Sequence, residues 1–239
     1  MPEDKDSRIT TAASSHHRIG IGISMPEDRD SRIITELSPP FAIIRFNRPA
    51  ERNVLSEEVR SRLDAILSAL IPRHDVRALI FTGTDDVFSA GADLRELVGL
   101  TPAAARDFAL RGQRLMQRIA DAPQVTIAAI NGYCMGGGLD LALACDLRIA
   151  SPGAVFAHPG VALGLITGWG GTQRLPRLVG PARAFEIILT ARRVNAQEAL
   201  EMGLINQIAA NPLEAACAFA NGRNRGRRSR STFAPDQRF

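Results

Sequence analysis

Ile130-Asn131-Gly132-Tyr133-Cys134-Met135-Gly136-Gly137-Gly138-Leu139-Asp140 is the stretch on which the reading of this chain turns. It follows an apolar, strand-like run from Val125 to Ile130 and feeds a helix from Gly137 to Ala144. Glycines at a helix start leave backbone N–H groups with no intrahelical acceptor. The positive end of the helix dipole lies at the same place. Such a terminus suits developing negative charge. A GGG turn alone is more often a tight loop than a site. A second segment, about 45 residues upstream, changes its weight: Val87-Phe88-Ser89-Ala90-Gly91-Ala92-Asp93-Leu94, after a short buried strand at Ala78 to Phe81. Small residues at 89–92 let the backbone turn sharply and approach a ligand. Asp93 is placed to cap a short helix, Leu94 to Val98.

Outward from these two segments the pattern stays regular. Ile33 to Leu37 and Phe41 to Phe46 read as strands around a Ser-Pro-Pro turn. Ser56 followed by Glu57 and Glu58 predicts a helix to about Leu70, with a hydroxyl cap and acids in the first turn. Pro102 opens a long helix to about Ile119. Leu147 to Ala150 is a strand, helices follow near 169–178, 181–191 and 196–202, Ile205 to Ala209 is a last strand, and Leu213 starts a helix. Strand–helix alternation of this kind predicts an α/β core.

The ends differ from the middle. MPEDKDSRITTA at 1–12 recurs as MPEDRDSRIITE at 25–36, identical at 9 of 12 positions. Two copies do not make a repeat architecture. The expectation is a duplicated polar leader over 1–30, with Met25 as the working start and no fixed structure. Residues 31–220 form the domain. After Ala220 the helical pattern breaks into NGRNRGRRSRSTFAPDQRF, for which a shifted frame or truncated product is the expectation and a genuine basic arm the alternative. This 221–239 tail carries +5, which leaves −1 on the other 220 residues of a chain whose net charge is +4. The basic character therefore belongs to the tail, and the body has no face built for nucleic acid. Cys134, Cys145 and Cys217 match neither a disulfide framework nor metal spacing. No signal peptide or membrane-spanning run is present. A cytoplasmic location with reduced thiols is expected.

FNRPAERNVLS at 46–56, FSAGADLREL at 88–97, AINGYCMGGGLDLALACDLRIA at 129–150, GWGGTQRLPRLVG at 168–180 and ALEMGLINQI at 199–208 together resemble the crotonase, or enoyl-CoA hydratase/isomerase, superfamily. The resemblance runs from about residue 33 to about 220. It implies a crotonase-like α/β fold of stacked ββα units, with the C-terminal helical part cut short. It implies an acyl-CoA or enoyl-CoA substrate, coenzyme A entering only as part of that substrate, and no metal. It implies a homotrimer or dimer of trimers, weakened by the missing C-terminal helices. The backbone amides of Ala90 and Gly137 would hold the thioester oxygen as it becomes enolate-like, each such donor contributing roughly 3–4 kcal/mol. Arg52 would lie near CoA phosphate or ribose, with Ala92, Asp93 and Leu94 on the adenine side.

Two departures from the family pattern bear on chemistry. One family glutamate is Asp140 here, three residues along the helix from Gly137 and on its face. The other is Gly160, in Phe156-Ala157-His158-Pro159-Gly160-Val161. Hydration needs a base for water and an acid for the α-carbon. Asp140 must then serve both, or the chain binds acyl-CoA without turning it over. In an extended segment His158 would face the same side as Gly160 and reach the site, although a structural role is the expectation for it. Tyr133, Trp169, Asp146, Cys134 and Cys145 read as packing or structural residues.

Overall fold

The computed structural model describes residues 31–222. The duplicated leader, and the tail beyond Gly222, lie outside the described residues. The chain runs β1 (Ile33–Ser38), β2 (Phe41–Phe46), β3 (Val54–Leu55), α1 (Glu57–Leu70), β4 (Ala78–Thr82), β5 (Val87–Ser89), β6 (Gly91–Ala92), α2 (Pro102–Ala120), β7 (Val125–Ile130), β8 (Tyr133–Met135), α3 (Gly137–Ala144), β9 (Leu147–Ala150), β10 (Val155–Ala157), α4 (Gly171–Val179), α5 (Pro181–Thr190), β11 (Val194–Asn195), α6 (Ala196–Glu201), β12 (Gln207–Ile208) and α7 (Pro212–Gly222).

The main sheet has the order β1-β2-β4-β7-β9-β12. β1 and β2 form an antiparallel hairpin and the other pairings are parallel. Parallel strands are buried on both faces and so read as unbroken apolar runs. The alternation of side chains decides which residue goes to which layer. Ile44, Leu79, Phe81, Ala128 and Ile130 join the larger core, which also holds Leu63 and Leu67 of α1, Met116 and Ile119 of α2, and Leu139 of α3. Their neighbours Ile43, Ala78, Ile80, Ile127 and Ala129 face the other way, onto Ala216 and Ala220 of α7. The helix begun at Leu213 in the sequence is thus the cover of one whole sheet face.

A second sheet, β11-β10-β8-β5, stands beside the first. Its strands are three residues or shorter, too brief to leave a periodic signal in the sequence. The same brevity shortens the last strand to β12 and makes Leu94–Glu96 a single 3-10 turn rather than a helix to Val98. In β5, β8 and β10 the middle residue, Phe88, Cys134 or Phe156, is fully buried. Its neighbours Val87, Tyr133, Met135 and Ala157 point to the opposite side.

Local chemistry sets the elements as expected. Ser56 accepts from the Val59 N–H at 3.4 Å and caps α1. Thr101 accepts from the Ala104 N–H at 3.2 Å and caps α2, with Pro102 in its first turn. Asp146 accepts from the backbone N–H and hydroxyl of Thr126, which ties the start of β9 to β7. Among the described residues no helix is long and apolar enough to cross a membrane.

Gly132 is where the two sheets meet most tightly. A Cβ there would lie 1.8 Å from the Asp86 carbonyl oxygen. That carbonyl accepts the Tyr133 N–H at 2.8 Å and cannot step aside. Gly132→Ala is expected to cost about 1–3 kcal/mol, the range for overpacking a fixed backbone contact. Gly153→Ala, with open space around it, is expected to stay within about 0.5 kcal/mol. Urea unfolding midpoints of the two variants check the contrast.

Candidate active site

The two small-residue segments come together. β6 runs parallel to β3, with Val54 opposite Gly91 and Leu55 opposite Ala92. A Cβ on Gly91 would lie 2.5 Å from the Gly137 nitrogen, and one on Gly137 would lie 3.3 Å from the Ala92 nitrogen. The N-terminus of α3 therefore abuts the 90–92 turn directly.

Two asparagines hold the turn. The Asn53 amide donates to the Val87 carbonyl at 2.8 Å, and its oxygen accepts from the Arg48 N–H at 2.7 Å. The Asn131 amide donates to the carbonyls of Asp85 and Val87, and its oxygen accepts the Gly83 N–H at 3.0 Å. The Ser89 hydroxyl donates to the Asn53 carbonyl at 2.7 Å. None of the three stands out in the sequence as a positioning group. The signal was a polar residue beside each loop, and only the fold gives it partners.

One expected donor is otherwise engaged. The Ala90 N–H donates to the Arg52 carbonyl at 2.9 Å. Ala90 and Gly137 therefore do not offer two amides to one point here: the β3 side of the turn takes the first. The turn nitrogen that lies close to the side-chain direction of Gly137 is that of Ala92, two residues on. Asp93 caps its 3-10 turn by accepting the Arg95 N–H at 3.0 Å, and it pairs with the Arg95 guanidinium at 2.6 Å. That pairing holds its carboxyl below the usual carboxylate range. Leu94 is exposed. Arg52 sits in a left-handed conformation, φ 57°, and reaches an open cavity of about 360 Å³. Tyr133, Met135, Pro159 and Arg193 line the same cavity, on the outer face of the second sheet. Asp140 is not among its lining residues.

Asp140 lies on α3, 1% exposed. Its Oδ2 accepts the Thr167 hydroxyl. Burial pushes its carboxyl up to about 6, against the opposing pull of Thr167, the amides of Trp169 and Gly171, and the charge of Arg174. The carboxylate thus also faces the start of α4. His158 stands beside it, Nε2 to Oδ1 3.8 Å, and is likewise buried. Burial lowers His158 to about 4. At neutral pH the two are a carboxylate and a neutral imidazole, not an ion pair.

The expected route from His158 to the site needs correction. His158 and Gly160 do not share an extended strand face. Pro159–Leu163 is a 3-10 helix with His158 at its N-cap, because proline fixes a turn-like φ where a strand would have to continue. His158 reaches Asp140 through that turn. A Cβ on Gly160 would point at the Leu165 carbonyl, 3.0 Å away.

Trp169 does more than pack. A Cβ on Gly137 would come within 2.4 Å of its ring, and one on Gly112 of α2 within 2.1 Å. The indole lies flush between two glycines and roofs the start of α3. Phe108 is 5.5 Å away, centroid to centroid. The buried Arg60 guanidinium sits 4.7 Å over the Phe108 ring and 5.3 Å over Trp169, donates to the Leu55 carbonyl at 2.6 Å and pairs with Glu57 and Glu96. Among the described residues no group of three or more His, Cys, Asp or Glu could hold a metal.

Known proteins share this fold and much of this sequence. The enoyl-CoA hydratase/isomerase family profile matches residues 38–216. The chain is 48% identical over 174 residues to a putative enoyl-CoA hydratase/isomerase, YngF, of Bacillus subtilis, covering 71% of this chain and 65% of that one. It is 41% identical over 174 residues to a crotonyl-CoA hydratase of Syntrophomonas wolfei, covering 72% and 67%. Among solved structures, enoyl-CoA hydratase from Bacillus anthracis superposes with a TM-score of 0.77 at 38% identity, over 80% of this chain and 76% of that one. Pseudomonas aeruginosa DspI gives 0.78 at 38% identity, over 83% and 82%. The matched part spans 65% and 67% of the length of the Bacillus subtilis and Syntrophomonas wolfei relatives. With its profile match over most of the domain and its two small-residue segments in contact, the chain belongs to the enoyl-CoA hydratase/isomerase family.

Proposed function

We propose that this protein processes an acyl-CoA thioester by stabilising an enolate, with Asp140 as its acid/base group and hydration of a short enoyl-CoA as the reaction. The observation that carries the reading is the contact of Gly137, first residue of α3, with the 90–92 turn. Its N–H has no intrahelical acceptor and sits at the positive end of the helix. The neighbouring nitrogen of Ala92, rather than that of Ala90, is the partner donor. A carbonyl oxygen seated there gains charge as water adds at the β-carbon, and fixed donors bind that charge without reorganising.

Asp140 then takes the proton of the attacking water and returns it to the α-carbon. One carboxyl performs both transfers in sequence, so Gly160 does not forbid the reaction. A carboxyl near pH 6 suits both directions of transfer. Arg52 is proposed to meet CoA phosphate or ribose at the open cavity, with Ala92, Asp93 and Leu94 beside the nucleotide. Exposed apolar side chains on 161–166 and α5, including Leu163, Ile166, Phe185 and Leu189, support a homo-oligomer through that face.

A second reading is a protein that binds acyl-CoA without turnover. The absent side chain at Gly160 and the complete burial of Asp140 under Thr167 and Trp169 favour it. Either way segment 159–170 must move to admit substrate to Asp140.

With crotonyl-CoA, loss of the conjugated enoyl absorbance is expected, and Asp140→Asn is expected to lower kcat by at least about a hundredfold. CoA binding with unchanged absorbance would select the second reading.

The pH dependence follows from the raised carboxyl. The base form is needed, so kcat/KM is expected to fall as pH drops through about 6. Stability runs the other way. The folded-state value lies above the ordinary 3.8, so the folded protein holds this proton more tightly than the unfolded chain. Ionised Asp140 therefore costs stability, a cost that grows from about pH 4 and is complete above about 6, up to about 3 kcal/mol. Asp140→Asn is expected to raise the urea midpoint at pH 8 and leave it nearly unchanged at about pH 3, below the ordinary carboxylate value.

A further inference from the structure

Asp140 Oδ1 and both ring nitrogens of His158 are buried with no hydrogen-bond partner. Unpaired buried polar atoms are rare, because each gives up its hydrogen bonds to water without replacement. Here the unpaired Oδ1 and Nε2 face one another across 3.8 Å. The gap between them opens onto Gly171, where a Cβ would lie 2.2 Å from Oδ1 and 2.9 Å from Nε2. Glycine at the start of α4 is what leaves the space. A movement of about 1 Å brings the pair into hydrogen-bond range.

We propose that Asp140 and His158 work as one proton-carrying pair, in which the His158 Nε2–H donates to Asp140 Oδ1, so that His158 is the positioning residue that equips a single carboxyl for a reaction whose second family carboxyl is Gly160. This rests on the reading of Asp140 as the acid/base group.

The proton inventory closes without any further reactant. At rest the pair holds one proton, on Nε2. When the water oxygen bonds to the β-carbon, Asp140 takes the water proton and the C=C electron pair moves onto the thioester as enolate. The pair then holds two protons. When the enolate collapses, Asp140 gives its proton to the α-carbon and the pair returns to one. His158 gains and loses none. It keeps Oδ1 supplied with a donor, as the Thr167 hydroxyl does for Oδ2, so the carboxylate keeps one orientation through both transfers.

Other groups around the pair do not replace this donor: the Trp169 and Gly171 amides also face the carboxyl, but Oδ1 has no hydrogen-bond partner. Arg174 on α4 acts on Asp140 by charge, but its guanidinium is directed to the Trp169 carbonyl and Gln117. Cys134 of β8 and Cys145 are buried thiols pushed up by burial and stay protonated. Thr167 is committed to Oδ2. The His158 imidazole is held neutral by its surroundings, so it donates from one nitrogen only.

Nitrogen-15 NMR of histidine-labelled protein tests the pair without any turnover. His158 is expected as the Nε2–H tautomer at pH 7, and Asp140→Asn is expected to shift its nitrogen signals. An Nδ1–H tautomer, or signals indifferent to Asp140→Asn, would overturn the pair. Kinetics with crotonyl-CoA supply the second readout. His158→Ala is expected to lower kcat by about ten- to a hundredfold, the range for losing one hydrogen bond to a charged group, with KM unchanged. The acid limb of kcat/KM is expected to move to higher pH, because the carboxylate has lost a donor. His158→Gln, whose amide N–H can reach Oδ1, is expected to restore the limb. An unmoved limb in His158→Ala sinks the pair. If the unsubstituted chain leaves crotonyl-CoA untouched, the hydratase reading fails separately, and the tautomer still decides whether the pair exists.

Discussion

The backbone of the 90–92 turn presses against the first residue of α3 with no room for a side chain on either Gly91 or Gly137. The rest of the structure is arranged around that contact. β3 fixes one side of the turn by parallel pairing and by the Arg52 carbonyl. Asn53, Ser89 and Asn131 fix the loops that lead into it. The parallel sheet then sets where β4 and β7 deliver those loops, because each strand is in register with its neighbour over five residue pairs. A backbone donor is a precise tool only if the backbone cannot drift, and these groups immobilise it with ordinary hydrogen bonds.

The same closeness explains why the chemistry of the carboxylate is an electrostatic compromise. Asp140 is carried on α3 into a place that water does not reach, and desolvation raises its proton affinity. Thr167, the amides at the start of α4 and the charge of Arg174 pull the other way. The outcome is a group poised near neutrality, a condition favourable for moving protons in both directions and unfavourable for stability. Trp169 roofs this region and excludes solvent, yet it also bars the way in. Segment 159–170 carries glycines at 160, 164, 168 and 170, and exposed apolar residues sit on it rather than inside it.

Much of this was legible beforehand, for a definite reason. Helix caps such as Ser56 and Thr101 act within three residues of themselves. Buried parallel strands need continuous apolar runs, so β2, β4 and β7 announce themselves. The two glycine-containing segments, with the ordered blocks around them, point to the family. What failed was the finer placement. Ala90 was the expected donor, but its N–H belongs to Arg52. Strand geometry predicts His158 on the same face as Gly160, whereas Pro159 turns the chain into a 3-10 helix.

Sequence alone determined the α/β alternation, the order of the small-residue turns, and a glycine at 160 where the family resemblance implies a carboxyl, because each is written in local spacing or in residue identity. Tertiary structure alone decided which turn nitrogen faces Gly137, that His158 lies beside Asp140, that Thr167 and α4 hold the carboxylate, and that Trp169 lies flat on Gly112 and Gly137. These contacts join residues from 18 to more than 50 positions apart. Their geometry depends on how sheets and helices pack, and no local pattern of residues records a distance of that kind.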